Sequence, residues 1–289
     1  MPATVARALV EALPYVRRWT GQTVVVKLGG AAMTSDALLE AMAQDLVLLR
    51  MVGVEVVLVH GGGPMVSEMG RRLGLEPRFV DGLRVTDEET MRVAQLVQVG
   101  GINRDLVAAI GRHGGRAVGL SGHDGGGFLR AALRRHTSRT TGELVDLGRV
   151  GDVTAVDVSL LRAQLDGRLI PVVAPVAVDD AMRPLNVNAD SVANAIAGAL
   201  RAARLLFLSD VEGIRGAEGT VVSEVDAATL RAWIASGVVS GGMIPKVEGC
   251  LDALAAGVDR VSIVDGREPH ALLLELLTDA GLGTLVRAG

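Results

Sequence analysis

The chain has 289 residues, 49% hydrophobic but only 2% aromatic, so it can bury a core of Val, Leu, Ile and Ala in one large or two modest domains and lacks the rings for a base-stacking platform. A formal net charge of -4, with short and scattered arginine pairs (Arg17-Arg18, Arg71-Arg72, Arg134-Arg135), excludes the electrostatic footprint of a nucleic-acid partner. The single cysteine, Cys250, excludes an internal disulfide, has no metal-ligand spacing around it, and points to a reducing compartment.

Residues 1-20 mix Arg7, Glu11, Arg17 and Arg18 with Val5, Leu9, Ala12, Leu13 and Val16, the pattern of an amphipathic helix and not of a signal peptide. One chain offers this helix no obvious core, so with Tyr15 and Trp19 it reads as a contact between subunits. Short Val/Ile/Leu runs then predict strands at 23-28, 55-60, 117-120, 169-174, 204-209 and 260-264. Between them, stretches of helical period predict helices at 36-51, 64-73, 87-98, 102-113, 190-202, 227-235, 246-256 and 269-279. Such alternation implies parallel strands covered by helices on both faces, a three-layer α/β/α sandwich with a mainly parallel central sheet. The Gly-, Arg- and Thr-rich stretch 124-156 reads as hairpins and loops, a β excursion over the main sheet. A polar break near 178-185 divides the chain into an oligomerisation helix (1-20), an N-lobe (21-180) and a C-lobe (181-289), the lobes sharing one sheet. No run reaches the roughly 18 apolar residues of a membrane span, and the expectation is a soluble cytoplasmic protein.

Three features carry chemistry. A glycine turn after a buried strand lets backbone N–H groups converge on an anion, and Gly29-Gly30 and Gly61-Gly62-Gly63 both stand at predicted strand ends, unless each merely makes a tight βα turn. Neither fits a dinucleotide or P-loop pattern. Lys27, inside Val24-Val25-Val26-Lys27-Leu28, either snorkels at a strand end or projects toward an anion. Of 29 Lys and Arg residues only Lys27 and Lys246 are lysines, and both are glycine-flanked, where a compact charge suits a phosphoryl group. In Asn186-Val187-Asn188-Ala189-Asp190, an extended backbone would aim Asn186, Asn188 and Asp190 the same way; the competing reading is a helix N-cap with a spare Asn. The combination suggests phosphoryl transfer, with Lys27 and Lys246 supplying charge and Asp190 holding both ammonium groups in register or, alternatively, ligating magnesium. No general base is evident among the five histidines. A carboxylate nucleophile, ionised above about pH 4.3, needs none.

Lys27-Leu28-Gly29-Gly30, His60-Gly61-Gly62-Gly63-Pro64, Gly82-Leu83-Arg84-Val85-Thr86, Asn186 to Asp190, Leu208-Ser209-Asp210-Val211-Glu212-Gly213-Ile214 and Gly241-Gly242-Met243-Ile244-Pro245-Lys246 together resemble the amino acid kinase family, and within it the N-acetyl-L-glutamate kinases. The resemblance runs from about residue 5 to 287. It implies ATP-dependent phosphorylation of the side-chain carboxylate of N-acetyl-L-glutamate in arginine biosynthesis, with Mg²⁺ carried in on the phosphates. It assigns Lys27, Lys246 and Asp190 to catalysis; Gly62, Gly63, Arg84, Asn186 and Asn188 to the acyl amino acid; and Gly29, Gly30, Asp210, Met243 and Lys246 to ATP. Arg84 as a surface pair and Asp210 as a turn residue are the alternatives. The N-terminal helix and the run 270-284 resemble the arginine-inhibited hexamers, built as trimers of dimers, which implies L-arginine as feedback inhibitor at Arg204, Ser262, Glu275, Gly281 and Gly283. The chain departs from that group at Leu28, where Tyr is common, at His123, where Lys is common, and at Ser262, which replaces a His. Two other readings stay open: an acetylaminoadipate kinase of lysine biosynthesis, and a catalytically silent amino-acid sensor on the same fold.

Overall fold

The computed structural model describes residues 2–29, 33, 35–279 and 281–289, with backbone only for residues 2–5. Helix α1 (Pro2–Trp19) leads into β1 (Thr23–Leu28), α2 (Asp36–Met51), β2 (Glu55–His60), α3 (Gly63–Arg72), β3 (Phe79–Val80), β4 (Leu83–Arg84), α4 (Glu88–Gln95), α5 (Asn103–Arg112) and β5 (Ala117–Leu120). Then come β6 (Leu129–Leu133), β7 (His136–Thr137), β8 (Leu144–Val145), β9 (Val150–Val156), α6 (Val158–Asp166), β10 (Ile170–Val173), β11 (Val176–Val178) and β12 (Pro184–Val187). The chain closes with α7 (Ala189–Leu200), β13 (Arg204–Ser209), β14 (Glu224–Asp226), α8 (Ala227–Ala235), α9 (Met243–Ala255), β15 (Arg260–Asp265), α10 (Ala271–Leu277) and β16 (Thr284–Arg287).

Eight strands form one sheet in the order β14-β16-β15-β13-β1-β2-β10-β5, and every neighbouring pair is parallel except β15 with β16. Successive strand residues point to opposite faces, and both faces are covered. Val25, Val57, Leu205 and Ile263 pack with α6, α7, α8 and α9, whereas Val24, Val26, Leu58 and Leu206 pack with α2, α5 and α10. A strand buried on both sides must be apolar throughout, which is why Val24-Val25-Val26 has no alternation. The fold is the three-layer α/β/α sandwich expected, and all six expected strands belong to its sheet. Asp87, Asp157 and Asp226 cap α4, α6 and α8 by accepting first-turn N–H groups, each worth about 1 kcal/mol.

Several details differ from expectation. The helices expected at 87-98 and 102-113 are one continuous helical run, because α4 passes into α5 through the π-helical stretch Leu96–Ile102. Strands β14 and β16 are only 3 and 4 residues long, too short to display a period. The excursion at 124-156 closes with β11 and β12 into a four-stranded barrel, β11-β12-β9-β6. The polar break near 178-185 is the turn of the antiparallel β11–β12 pair, held by Asp179 N–H to the Arg183 carbonyl. The end of α1 also has a core of its own: Trp19 is 5% exposed, packs with Leu272 and Leu276 of α10, and donates from Nε1 to the Leu276 carbonyl. Leu9, Val10 and Leu13, one to three turns earlier, are exposed.

Candidate active site

The carboxyl ends of β1, β2 and β13 lie side by side, Lys27 in register with Val59 and Phe207 and Leu28 with His60 and Leu208. Ligands of open α/β sheets collect at such ends. Lys27 shares the strand face of Val25, the face covered by α7, and its Nζ lies 2.9 Å from Asp190 Oδ1 in the first turn of that helix. Asp190 Oδ1 is buried and makes no hydrogen bond among the described residues, so this is a close contact between opposite charges. Gly29 lies close beside it, and a Cβ there would stand 2.3 Å from Lys27 Nζ, so a larger residue would push the ammonium group aside. Gly30 lies outside the described residues.

Lys246 sits in the first turn of α9, which starts three residues earlier than expected, and its Nζ donates to Ser209 Oγ (2.7 Å) and Asp210 Oδ1 (3.2 Å) at the end of β13. The lysine's hydrogen bond and charge hold the Asp210 carboxyl below its ordinary value. Asp190, expected to organise both ammonium groups, meets only Lys27 among the described ion pairs. Each lysine has its own carboxylate, Asp190 in the first turn of α7 for Lys27 and Asp210 just past the end of β13 for Lys246. Both pairs line one narrow cleft of about 50 Å³, together with Gly29, Ser209 and Gly249. Asp210 also borders an adjoining cleft of about 420 Å³, walled by Gly213, Ser240, Met243 and Arg267. Ser209, which no sequence motif singles out by its chemistry, joins the site through its place at the end of β13, one residue before Asp210.

The turn Gly61-Gly62-Gly63 joins β2 to α3, with Pro64 in the first turn of the helix. Gly61 N–H is held by the Leu28 carbonyl at 2.9 Å, which ties this turn to the end of β1. A Cβ on Gly62 would meet Ile102 Cδ1 at 2.7 Å, whereas Gly63 has open space around it. Arg84 Nη2 donates to the Gly63 carbonyl (2.7 Å) and Ser67 Oγ (2.6 Å), and its guanidinium lies 4.7 Å from the Phe79 ring centroid. Stacked and bonded on one edge, it is a fixed group beside the glycine turn and has no acidic partner among the described residues. Asn186 Nδ2 donates to Thr86 Oγ1 at 3.2 Å, two residues from Arg84. Asn188 follows the competing reading, the helix cap. Its Oδ1 accepts from Asp190 N–H (2.7 Å) and Ser191 N–H (3.3 Å), so it is the N-cap of α7. The strand ends at Val187, and the cap is what orients the turn that carries Asp190.

Farther along the sheet, Arg204, Glu275 and Gly283, three of the residues expected to bind arginine, meet. Arg204 Nη2 donates to Glu275 Oε1 at 2.5 Å, and Glu275 Oε2 accepts from Leu282 N–H at 2.9 Å and Gly283 N–H at 3.4 Å. At Gly283 no side chain fits, since a Cβ there would fall 1.9 Å from the Ile263 carbonyl. A Cβ on Gly281 would stand 3.0 Å from Glu275 Oε2. Ser262 is fully buried, its Oγ without a partner among the described residues.

Among the described residues no group of three or more His, Cys, Asp or Glu side chains is arranged to hold a metal, and no helix is long and apolar enough to cross a membrane. A Mg²⁺ held chiefly by phosphate oxygens and water asks for only one or two carboxylates. Asp190, a little under half exposed, and Asp210 fit that demand.

The sequence profile of the amino acid kinase family matches residues 22–265. The acetylglutamate kinase of Symbiobacterium thermophilum is 52% identical over 284 residues, covering 97% of this chain and 97% of its own length. That of Methanothrix thermoacetophila is 46% identical over 283 residues, again with 97% coverage of both. Among solved structures, an N-acetylglutamate synthase from Neisseria gonorrhoeae, complexed with coenzyme A and N-acetyl-glutamate, superimposes with a TM-score of 0.85 at 27% identity; the match covers 98% of this chain and 63% of that one. A carbamate kinase from Giardia lamblia bound to AMP-PNP has the same fold, with a TM-score of 0.66 at 15% identity over 93% of this chain and 99% of that one.

Proposed function

The chain belongs to the amino acid kinase family, and from that premise we propose that it transfers the γ-phosphoryl group of ATP to the side-chain carboxylate of N-acetyl-L-glutamate, yielding N-acetyl-L-glutamyl 5-phosphate and ADP in arginine biosynthesis. The observation that carries this reading is the pair of lysines, the only two in the chain, each set against its own carboxylate on the walls of one cleft.

The reaction forms a bond between a carboxylate oxygen and the γ-phosphorus and breaks the bond from that phosphorus to the bridging oxygen of ADP. The attacking carboxylate is already ionised at neutral pH, so no proton has to move. What remains is alignment and neutralisation of charge. Lys27 and Lys246 lie on either side of the phosphoryl group in flight, and Asp190 and Asp210 fix their positions. The N–H groups of Gly62 and Gly63, at the start of α3, receive the reacting carboxylate where the helix dipole favours it. Arg84 takes the α-carboxylate in a fork, and Asn186 meets the remaining polar groups. ATP occupies the wider cleft at Asp210 and Met243, with Gly29 beside its phosphates, and bound Mg²⁺ adds charge neutralisation.

Regulation completes the proposal. The exposed Leu9, Val10 and Leu13 of α1 are covered by second copies of the chain in a hexamer, a trimer of dimers. L-arginine inhibits at Glu275, where its guanidinium displaces that of Arg204; Ser262 Oγ offers an uncommitted polar atom on the same side of the sheet. The decisive assay supplies ATP, Mg²⁺ and N-acetyl-L-glutamate with hydroxylamine, which traps an acyl phosphate as a hydroxamate. N-acetyl-L-aminoadipate, one methylene longer, is run beside it. Since a methylene is worth about 1–3 kcal/mol, the glutamate substrate should be preferred by roughly 10-fold or more. Absence of hydroxamate from both would refute the proposal.

A further inference from the structure

His60 ends β2 and is completely buried directly behind the glycine turn. Its Nδ1 lies 2.7 Å from the Gly61 carbonyl oxygen and its Nε2 lies 3.2 Å from Asn103 Nδ2. The direction of each bond is set by the next group along. Asn103 Nδ2 donates to the Val172 carbonyl (2.8 Å), while Asn103 Oδ1 accepts from Arg104 Nη2 (2.6 Å), so the amide nitrogen is the atom facing His60. Nε2 therefore accepts, and the ring proton is on Nδ1, donated to Gly61. Gly119 keeps this network in place from the neighbouring strand: a Cβ there would lie 1.8 Å from Asn103 Oδ1. Burial pushes the imidazole pKa down to about 4, so the ring stays neutral near pH 7.

The Gly61–Gly62 peptide is trans. In a planar trans peptide the C=O and the following N–H point in opposite directions. Holding the Gly61 carbonyl inward against His60 therefore turns the Gly62 N–H outward, and that N–H has no partner among the described residues. We propose that His60 is a positioning residue, which acts through the Gly61 carbonyl to aim the Gly62 N–H at the reacting carboxylate of the acyl amino acid. This rests on the assignment of that carboxylate to the glycine turn, made above.

The test compares two amides of similar bulk. His60→Asn retains a donor near the position of Nδ1, whereas His60→Gln moves the amide toward the position of Nε2 and leaves the Gly61 carbonyl without it. With comparable thermal midpoints, His60→Gln should lose about 10-fold or more in kcat/KM for N-acetyl-L-glutamate, the scale of one misplaced hydrogen-bond donor, with the KM for ATP unchanged. His60→Asn should restore most of that loss. Equal losses in the two variants, or parallel changes in both KM values, would overturn the proposal. A parent chain that forms no hydroxamate counts against the kinase reading alone, and the glycine amide spectrum then still decides about His60: the Gly62 resonance should match in the parent and His60→Asn and move in His60→Gln. An unmoved Gly62 signal in all three would also overturn it.

Discussion

Lys27 and Asp190 meet at 2.9 Å across the seam between the end of β1 and the first turn of α7, elements 163 positions apart in sequence numbering that only the folded sheet brings together. Lys27→Ala should lower turnover by about 10²–10³, as removal of one preorganised charge commonly does. Asp190→Asn should lower it too, since Lys27 then lacks the group that fixes it. If the two residues act as a unit, the double variant should be much less impaired than the product of the single losses. Strict multiplicativity in single-turnover measurements would separate them.

Lys246 is held by Ser209 and Asp210 at the edge shared by the two clefts. Lys246→Ala should therefore reduce turnover by about 10²–10³ and also raise the KM for ATP. Ser209→Ala, which removes only the 2.7 Å support, should have a smaller effect in the same direction. An Asp210→Asn chain with unaltered nucleotide affinity would argue against ATP in the wider cleft.

Arg84 is stacked on Phe79 and bonded beside the glycine turn, outside the residues lining either cleft of the lysines. Arg84→Ala should raise the KM for N-acetyl-L-glutamate and leave that for ATP largely untouched, the signature of a lost substrate anchor. Initial-rate kinetics with each substrate varied in turn would show it. A change chiefly in ATP would reverse the assignment of the two sides.

Protonation of His60 is suppressed by burial, with its pKa pushed down to about 4. The unfolded chain takes up this proton near pH 6.5, so between that pH and 4 the unfolded state binds more protons than the native one. Stability from this group is present above about pH 6.5 and declines as pH falls toward 4, by at most about 3 kcal/mol. Thermal midpoints measured across that window should fall in the parent chain and fall less steeply in His60→Asn.

The anchoring of Trp19 decides where an N-terminal truncation must stop. Removing residues 1–20 would take away a side chain buried against α10 and its hydrogen bond to Leu276, and so would confuse folding with assembly. Removing residues 1–13 deletes the exposed Leu9, Val10 and Leu13 and spares Tyr15 and Trp19. The shortened chain should remain active, sediment as a smaller species than the full chain, and be much less sensitive to arginine. A full-length chain that sediments as a dimer and ignores millimolar arginine would refute the hexameric reading.

What the sequence determined by itself was whatever depends on local pattern. The apolar runs that must be strands covered on both faces, the glycine turns at their ends and the isolation of two lysines are all properties of contiguous residues, and they pointed to the layered fold and to charge-neutralising chemistry before any coordinates. The tertiary structure alone decided which groups meet. Whether Asp190 faces one lysine or two depends on how α7 and α9 dock on the sheet, a matter of long-range packing. Asn188 could cap or project, and the choice fell to capping because α7 starts at Ala189 and its first N–H groups need an acceptor. That Arg204, 71 residues away, donates to Glu275 is revealed by nothing nearby in sequence. Trp19 likewise found its core on α10, 257 residues on from it, for the same reason: burial is decided by the packed whole, and no window of the chain contains it.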